Sequence, residues 1–417
     1  MDDRQAMERA LALAASVEHA VNPNPPVGCV LLRDGEVVGE GATEPPPGRH
    51  AEAVALERAG ALARGATAVV TLEPCDHHGR TPPCSRALRA AGVARVVYSV
   101  DDPNPTAAGG AAALAAAGVT VQRLGDGEVA ARAARQVEAH RHHARTGRPL
   151  VTVKLAASLD GRVAAADGSS QWITGPSTRA RVHRLRAAAD AVIVGSGTAL
   201  ADDPRLTVRL PDWRGEQPLR VVLDRRLRLP PDAALTDGAA PTLVLTAPDA
   251  APQRRHALQA RGVAVVAVPP AVGEVGLDLA AALGVLGDRD VRRALVEGGP
   301  QLAGALAASG LVDRLLLHLG PVTLGPQGSP VLAGASPPTL AAAPRWRLED
   351  LERVDDDLLA AYVPQSVPHT EGADAPPDQT SHHDRVATRA ARPAEAPSDP
   401  AAPVHAQAAT VPSQEAR

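Results

Sequence analysis

The stretch Glu73–Cys84, EPCDHHGRTPPC, carries two of the chain's three cysteines and two histidines. It also holds four residues that break regular structure: Pro74, Gly79, Pro82 and Pro83. Such a loop is built for a metal, a disulfide or nothing in particular. Upstream, His50 and Glu52 open the run HAEAVALERAG (50–60), which reads as a helix stopped by Gly60. Imidazole and thiolate are preferred ligands of zinc, and three protein ligands leave a fourth position for water. Zinc brings the pKa of such a water from ~16 to near 7. His50, Cys75 and Cys84 are therefore expected zinc ligands, and Glu52 the expected catalytic proton shuttle.

His-x-Glu followed by Pro-Cys and a further Cys is the arrangement of zinc deaminases. The usual spacing of the two cysteines is Cys-x-x-Cys, whereas eight residues separate Cys75 from Cys84 here. The longer loop has the length to lie over a substrate. An alternative is a structural zinc with His77 or His78 as fourth ligand, which leaves His50 and Glu52 unexplained. Cys29, inside the apolar GCVLL, reads as a small buried side chain. Asn24, in NPNPPVG, is either a turn former or a hydrogen-bond partner of a substrate ring.

The rest of the composition excludes several classes. The 417 residues suffice for two domains. Hydrophobic content is 45% and charged content 22%, as in soluble globular proteins, but aromatics are 1% and Phe is absent. The cores must be built from Ala, Val and Leu. A net charge of −4 offers no basic field for nucleic acid or an anionic membrane. No apolar run is long enough to span a bilayer, and MDDRQAMERA lacks the features of a signal peptide. Three cysteines do not make a disulfide framework, so a cytoplasmic location is expected. A homo-oligomer is compatible with all of this. Lys154 is the only lysine among 43 Lys plus Arg. It is either a compositional remnant or a place where a compact ammonium cannot be exchanged for a guanidinium.

Along the chain, 3–20 reads as an amphipathic helix, and 27–41 as a hairpin turning at Asp34-Gly35. Strands and helices then alternate, and GEVAARAARQVEAHRHHAR reads as one helix closing the first unit. From Gly147 a second unit begins. VTVKLAASLDGRVAA reads as two strands about a hairpin turn at Asp160-Gly161. Val- and Leu-rich runs follow, with helices such as STRARVHRLRAAA between them. They imply an α/β fold with a largely parallel sheet covered on both faces. From 365 the chain is rich in Pro, Ala, Ser and Asp and is expected to be a disordered tail.

NPNPPVGCVLLRDGEVVGEG, HAEAVALERAG and EPCDHHGRTPPC together resemble the N-terminal half of the bifunctional riboflavin biosynthesis deaminase/reductase family. VKLAASLDGRVAAADGSSQWITG and ADAVIVGSGTALADDPRLTVR resemble its C-terminal half. The resemblance covers about 1–363. It implies a cytidine-deaminase-like three-layer domain over 1–146, a dihydrofolate-reductase-like domain over 147–364, and a tail over 365–417. It also implies zinc and NADPH as cofactors and a phosphoribosylated pyrimidine as small-molecule substrate. On the resemblance, Ala156, Trp172, Thr198, Asp202 and the segment Gly299, Pro300, Gln301, Leu302, Ala303, Gly304, Ala305 contact NADPH. Ser170, Arg186, Leu206, Arg209 and Glu297 hold the substrate, with Asn24 and Lys154 as further substrate contacts. Gly298 and Gly299 stand between a strand and a helix start, where free N–H groups suit a pyrophosphate. Arg186 and Arg209 suit a sugar phosphate. Arg225 stands where many relatives carry a small residue and is left outside the expected site. Because each half carries its own site, the halves are expected to work separately.

Overall fold

In the computed structural model the described residues are 1–365 apart from 79–81, 272, 274–275 and 335–336. The expected tail, from 366 onward, lies outside them, as does the tip of the Cys75–Cys84 loop. Helix α1 (Asp3–Val17) starts at a capping box: the Asp2 carboxylate accepts from the Gln5 N–H, and the Gln5 side chain accepts from the Asp2 N–H. Its face of Ala6, Met7, Ala10, Leu11 and Ala14 is buried. Strands β1 (Gly28–Arg33) and β2 (Glu36–Ala42) form the expected hairpin. Asp34 and Gly35 both have positive φ, which matches the twist of a two-residue connection.

Then follow α2 (Ala51–Ala59), β3 (Thr67–Leu72), α3 (Cys84–Ala90), β4 (Arg95–Val100), α4 (Gly110–Ala116) and β5 (Thr120–Arg123). The strands lie in the order β2-β1-β3-β4-β5, with β1 antiparallel to both neighbours and β3, β4 and β5 parallel. The core between the layers is Ala, Val and Leu apart from Met7 and Cys29, as the composition demands. The closing helix is two helices, α5 (Gly127–Gln136) and α6 (Glu138–Thr146). The chain leaves helical angles at the buried Val137 (φ −98°, ψ 10°). The break lets α5 pack on the first unit while α6 reaches the first strand of the second.

The second unit comprises β6 (Leu150–Ala157), β7 (Arg162–Ala164), α7 (Pro176–Ala187), β8 (Ala191–Gly195), α8 (Ser196–Asp202), β9 (Leu219–Leu223), β10 (Thr242–Thr246), α9 (Pro252–Gln259), β11 (Ala264–Ala267), α10 (Leu279–Gly287), β12 (Arg293–Glu297), α11 (Pro300–Ala308), β13 (Arg314–Leu319), β14 (Ser329–Pro330), β15 (Trp346–Val354) and β16 (Asp357–Pro364). Its main sheet runs β11-β10-β9-β8-β12-β6-β13-β16-β15. It is parallel as far as β13 and ends in an antiparallel pair, β16 and β15.

The turn read at Asp160-Gly161 is there, closed by the Gly161 N–H on the Ser158 carbonyl (3.0 Å) and the Ser158 N–H on the Arg162 carbonyl (2.8 Å), but the two strands do not continue as a paired ladder. β7 pairs with β14 instead of β6. The Asp160 carboxylate accepts from the Ser158 hydroxyl (2.6 Å) and from the N–H groups of Leu324 and Gly325 (3.0 and 2.7 Å). Those bonds, that of Ser158 first, hold its pKa down to about 2. Asp160 therefore clasps a distant loop. Among the described residues no helix is long and apolar enough to cross a membrane.

Candidate active sites

The register of the first sheet gathers four connections at one end. The start of β1 (Gly28) pairs with the end of β2 (Ala42), and β3 runs antiparallel to β1, so its C-terminal end lies there too. β4 is parallel to β3 and ends beside it. At that end His50 caps α2, Cys75 follows β3, and Cys84 opens α3. His50 Nδ1 is 3.5 Å from Cys75 Sγ and 3.3 Å from Cys84 Sγ, and the three donor atoms lie within 4.8 Å of one another.

The local chain is held firmly. The buried Glu73 carboxylate accepts from the N–H groups of Asp102, Gly109 and Ala111 (3.2, 3.2 and 3.1 Å). A side chain on Gly110 would meet the Pro74 carbonyl at 1.7 Å, so α4 can approach the cysteine loop only as glycine. The thiols act as a pair. Hydrogen bonding to Cys84, and then His50, holds Cys75 down to about 4, while the same bond and burial push Cys84 well up. The Cys75 bond raises His50.

Glu52, in the first turn of α2, is 4% exposed, and burial raises its pKa. A buried carboxyl beside an N, S, S donor set fits a zinc ion with an open position. Neither His77 nor His78 joins that set among the described residues; His78 faces Arg86 (2.9 Å). Cys29 is fully buried in β1, and the Asn24 N–H closes a turn on the Val21 carbonyl (2.8 Å).

In the second unit a cleft of about 1450 Å³ opens at the C-terminal ends of β6, β8, β9 and β12, a usual place for a ligand in an open α/β sheet. Lys154, Ala156, Ser170, Trp172, Arg186, Thr198, Asp202, Leu206, Arg209, Glu297, Gly299, Pro300, Gln301, Leu302 and Ala305 all line it. Ala303 and Gly304 do not. The period of α11 turns Ala303 into the core, and a side chain on Gly304 would strike the Ala333 carbonyl at 1.8 Å. Gly298 and Gly299 have φ of 83° and 70°, and side chains on them would meet Thr198 at 3.2 and 3.1 Å. The turn thus brings bare backbone to the cleft wall beside Thr198, at the start of α11. Trp172 is 68% exposed, with the Arg179 guanidinium 4.3 Å from its ring centroid.

The two arginines on the cleft wall differ in their partners. Arg186 is nearly buried. It holds both Glu297 oxygens through Nε and Nη2 (2.5 and 2.8 Å) and the Thr207 carbonyl through Nη1 (3.0 Å). Its guanidinium is thus paired with Glu297 on the cleft wall. Among the described residues the Arg209 guanidinium keeps only a long bond to Thr207 Oγ1 (3.4 Å), and burial followed by the neighbouring Arg186 and Arg205 lowers its pKa. Lys154 is the register partner of Glu297 across β6 and β12. Burial lowers its pKa and Glu297 raises it. Sequence reasoning missed Arg205, His183, Arg226 and Arg228 on the cleft wall. Clusters of arginine in a chain this rich in it gave no signal.

The family model of the cytidine and deoxycytidylate deaminase zinc-binding region matches residues 1–100, and that of the RibD C-terminal domain matches residues 149–360. A riboflavin biosynthesis protein RibD of Mycobacterium tuberculosis is 44% identical over 86% of this chain and 96% of its own length. The chain belongs to the RibD family. RibD of Escherichia coli K12 is 41% identical over 87% of this chain and 100% of its own. Among solved structures, Acinetobacter baumannii RibD is similar with a TM-score of 0.77 at 36% identity, covering 87% of this chain and 99% of that one. The Thermotoga maritima diaminohydroxyphosphoribosylaminopyrimidine deaminase/5-amino-6-(5-phosphoribosylamino)uracil reductase has a TM-score of 0.75 at 32% identity, with coverages of 87% and 99%. Like other RibD proteins, the chain joins a zinc-binding deaminase region to a reductase domain and is a bifunctional enzyme of riboflavin biosynthesis.

Proposed function

We propose that the first site hydrolytically removes the 2-amino group of 2,5-diamino-6-ribosylamino-4(3H)-pyrimidinone 5′-phosphate. In this reading the second site reduces the ribosyl group with NADPH, giving 5-amino-6-(5-phosphoribitylamino)uracil. The observation that carries the first half is the convergence of His50, Cys75 and Cys84 beside the buried Glu52. Held by those three residues, zinc supplies the Lewis acidity that makes water a nucleophile near neutral pH. Glu52 takes a proton from the water that attacks C2 and delivers it to the departing amino nitrogen, while the second water proton ends on the adjacent ring nitrogen. Ammonia leaves and the water oxygen remains as the carbonyl. Asn24, from the loop before β1, hydrogen-bonds the ring.

In the second site a reduced nicotinamide supplies the hydride, received at C1′ as the C1′–O4′ bond breaks. The chain's part is orientation and charge. Lys154 donates to the ribose and supplies a proton toward O4′, with Glu297 locked by Arg186 as its counter-charge. Arg209, less committed than Arg186, takes the phosphate. Domain limits of 1–146 and 147–364 follow from this division of labour, and the three free cysteines fit a cytoplasmic enzyme.

NADPH, in preference to NADH, is supported by Arg225, Arg226 and Arg228 on the cleft wall, where Arg225 Nε is buried without a partner among the described residues. A charge-assisted pair with a 2′-phosphate accounts for them. The protein should bind 2′,5′-ADP about tenfold or more tighter than 5′-AMP in calorimetry, and Arg225→Ala should narrow the gap. Equal binding of the two nucleotides would leave the choice of NADPH without support.

A further inference from the structure

The connection from α1 to β1 belongs to the first unit, yet half of its anchors belong to the second. The Asn22 side-chain amide donates to the Asp290 carbonyl at 2.7 Å. Arg293 Nη2 donates to Glu18 at 2.6 Å and to the Gln136 carbonyl at 3.4 Å. The Arg292 and Arg293 N–H groups are themselves fixed by Asp190 (2.8 and 2.7 Å). The other half of the connection is pinned within its own unit. Thr43 Oγ1 bonds the Pro25 carbonyl and the Val27 N–H (both 3.1 Å), and Thr71 Oγ1 accepts from the Gly28 N–H (3.1 Å). The segment between these two sets of anchors, 22–27, emerges at the end of the sheet that bears His50, Cys75 and Cys84.

His140 of α6 fills the space behind. Its ring faces the Pro23 carbonyl, and Nε2 is 4.0 Å from Asp102 on the connection after β4. The deaminase end of the sheet is therefore backed by the lead-in to a reductase strand.

We propose that the Asp290–Arg293 turn of the reductase domain positions the 18–27 connection over the deaminase site, so that substrate binding in the first domain depends on the second. The inference rests on the deaminase reading above. Arg293 and Asn22 are positioning residues; neither touches the reacting atoms. Losing an anchor lowers the fraction of molecules with the connection in its binding shape, and the apparent affinity falls by that fraction. The separation of the halves expected from sequence then fails at the deaminase.

The test is made in the full-length, zinc-loaded protein with Asn22→Ala and, separately, Arg293→Ala. Each should raise the deaminase KM about five- to tenfold with kcat little changed. Zinc content should stay as in wild type, as should NADPH oxidation with the deaminated intermediate supplied. Arg293→Lys, which still reaches Glu18, should recover most of the loss. Wild-type KM in both alanine variants would overturn the proposal. So would equal losses at both sites in Asn22→Ala, which removes only one surface amide. Absence of ammonia release by the wild type would instead overturn the deaminase reading itself.

Discussion

Glu52→Gln should retain zinc and lose ammonia release by about 10²–10⁴-fold, the usual worth of a positioned general acid–base group. Zinc retention follows because Glu52 lies outside the set of mutually close donors. The loss follows because an amide fills the same buried space but cannot take a proton from water. Burial already raises the pKa of Glu52, so the neutral amide suits its surroundings and the fold should persist. Metal analysis and an ammonia assay on the same preparation check both halves. A variant without zinc, or one that deaminates near the wild-type rate, would show that Glu52 is not the shuttle.

Lys154→Arg should slow reduction by about tenfold or more, which corresponds to losing one charge-assisted hydrogen bond of ~1.5–3 kcal/mol in the transition state. The side chain stands opposite Glu297, whose two oxygens are already engaged by Arg186. A compact ammonium fits beside that pair; a second planar guanidinium would be forced against the first. Deamination should be unchanged. NADPH oxidation with the deaminated intermediate supplied is the readout. A wild-type rate would make the lone lysine a compositional remnant.

The zinc set was legible because its chemistry is carried by scarce residue types. Three cysteines, and a single His-x-Glu ahead of the Pro- and Ala-rich segment from 365, leave few ways to assemble a site, and local order brings His50, Cys75 and Cys84 together at the sheet end. The glycines before α11 were legible for a similar reason: positive φ beside Thr198 admits little else. The pairing of Arg186 with Glu297 was not: the two are 111 residues apart, and only strand order shows that they meet. The charged strand β15 and its partner β16 were also missed: most of β15 is exposed, so no buried run announces it. Asp160-Gly161 reads as a turn by composition, while its distant carboxylate partners, the Leu324 and Gly325 N–H groups, carry no local signature. The anchors of 18–27 on Asp290 and Arg293 lie beyond sequence reading for the same reason.

The most direct measurement follows ammonia and NADPH together when full-length zinc-loaded protein meets the diaminopyrimidine ribosyl phosphate. Ammonia should appear with or without NADPH. NADPH should be consumed only as deaminated product forms, one equivalent for each ammonia released. NADPH consumption without ammonia release, or no turnover of either, would contradict the account.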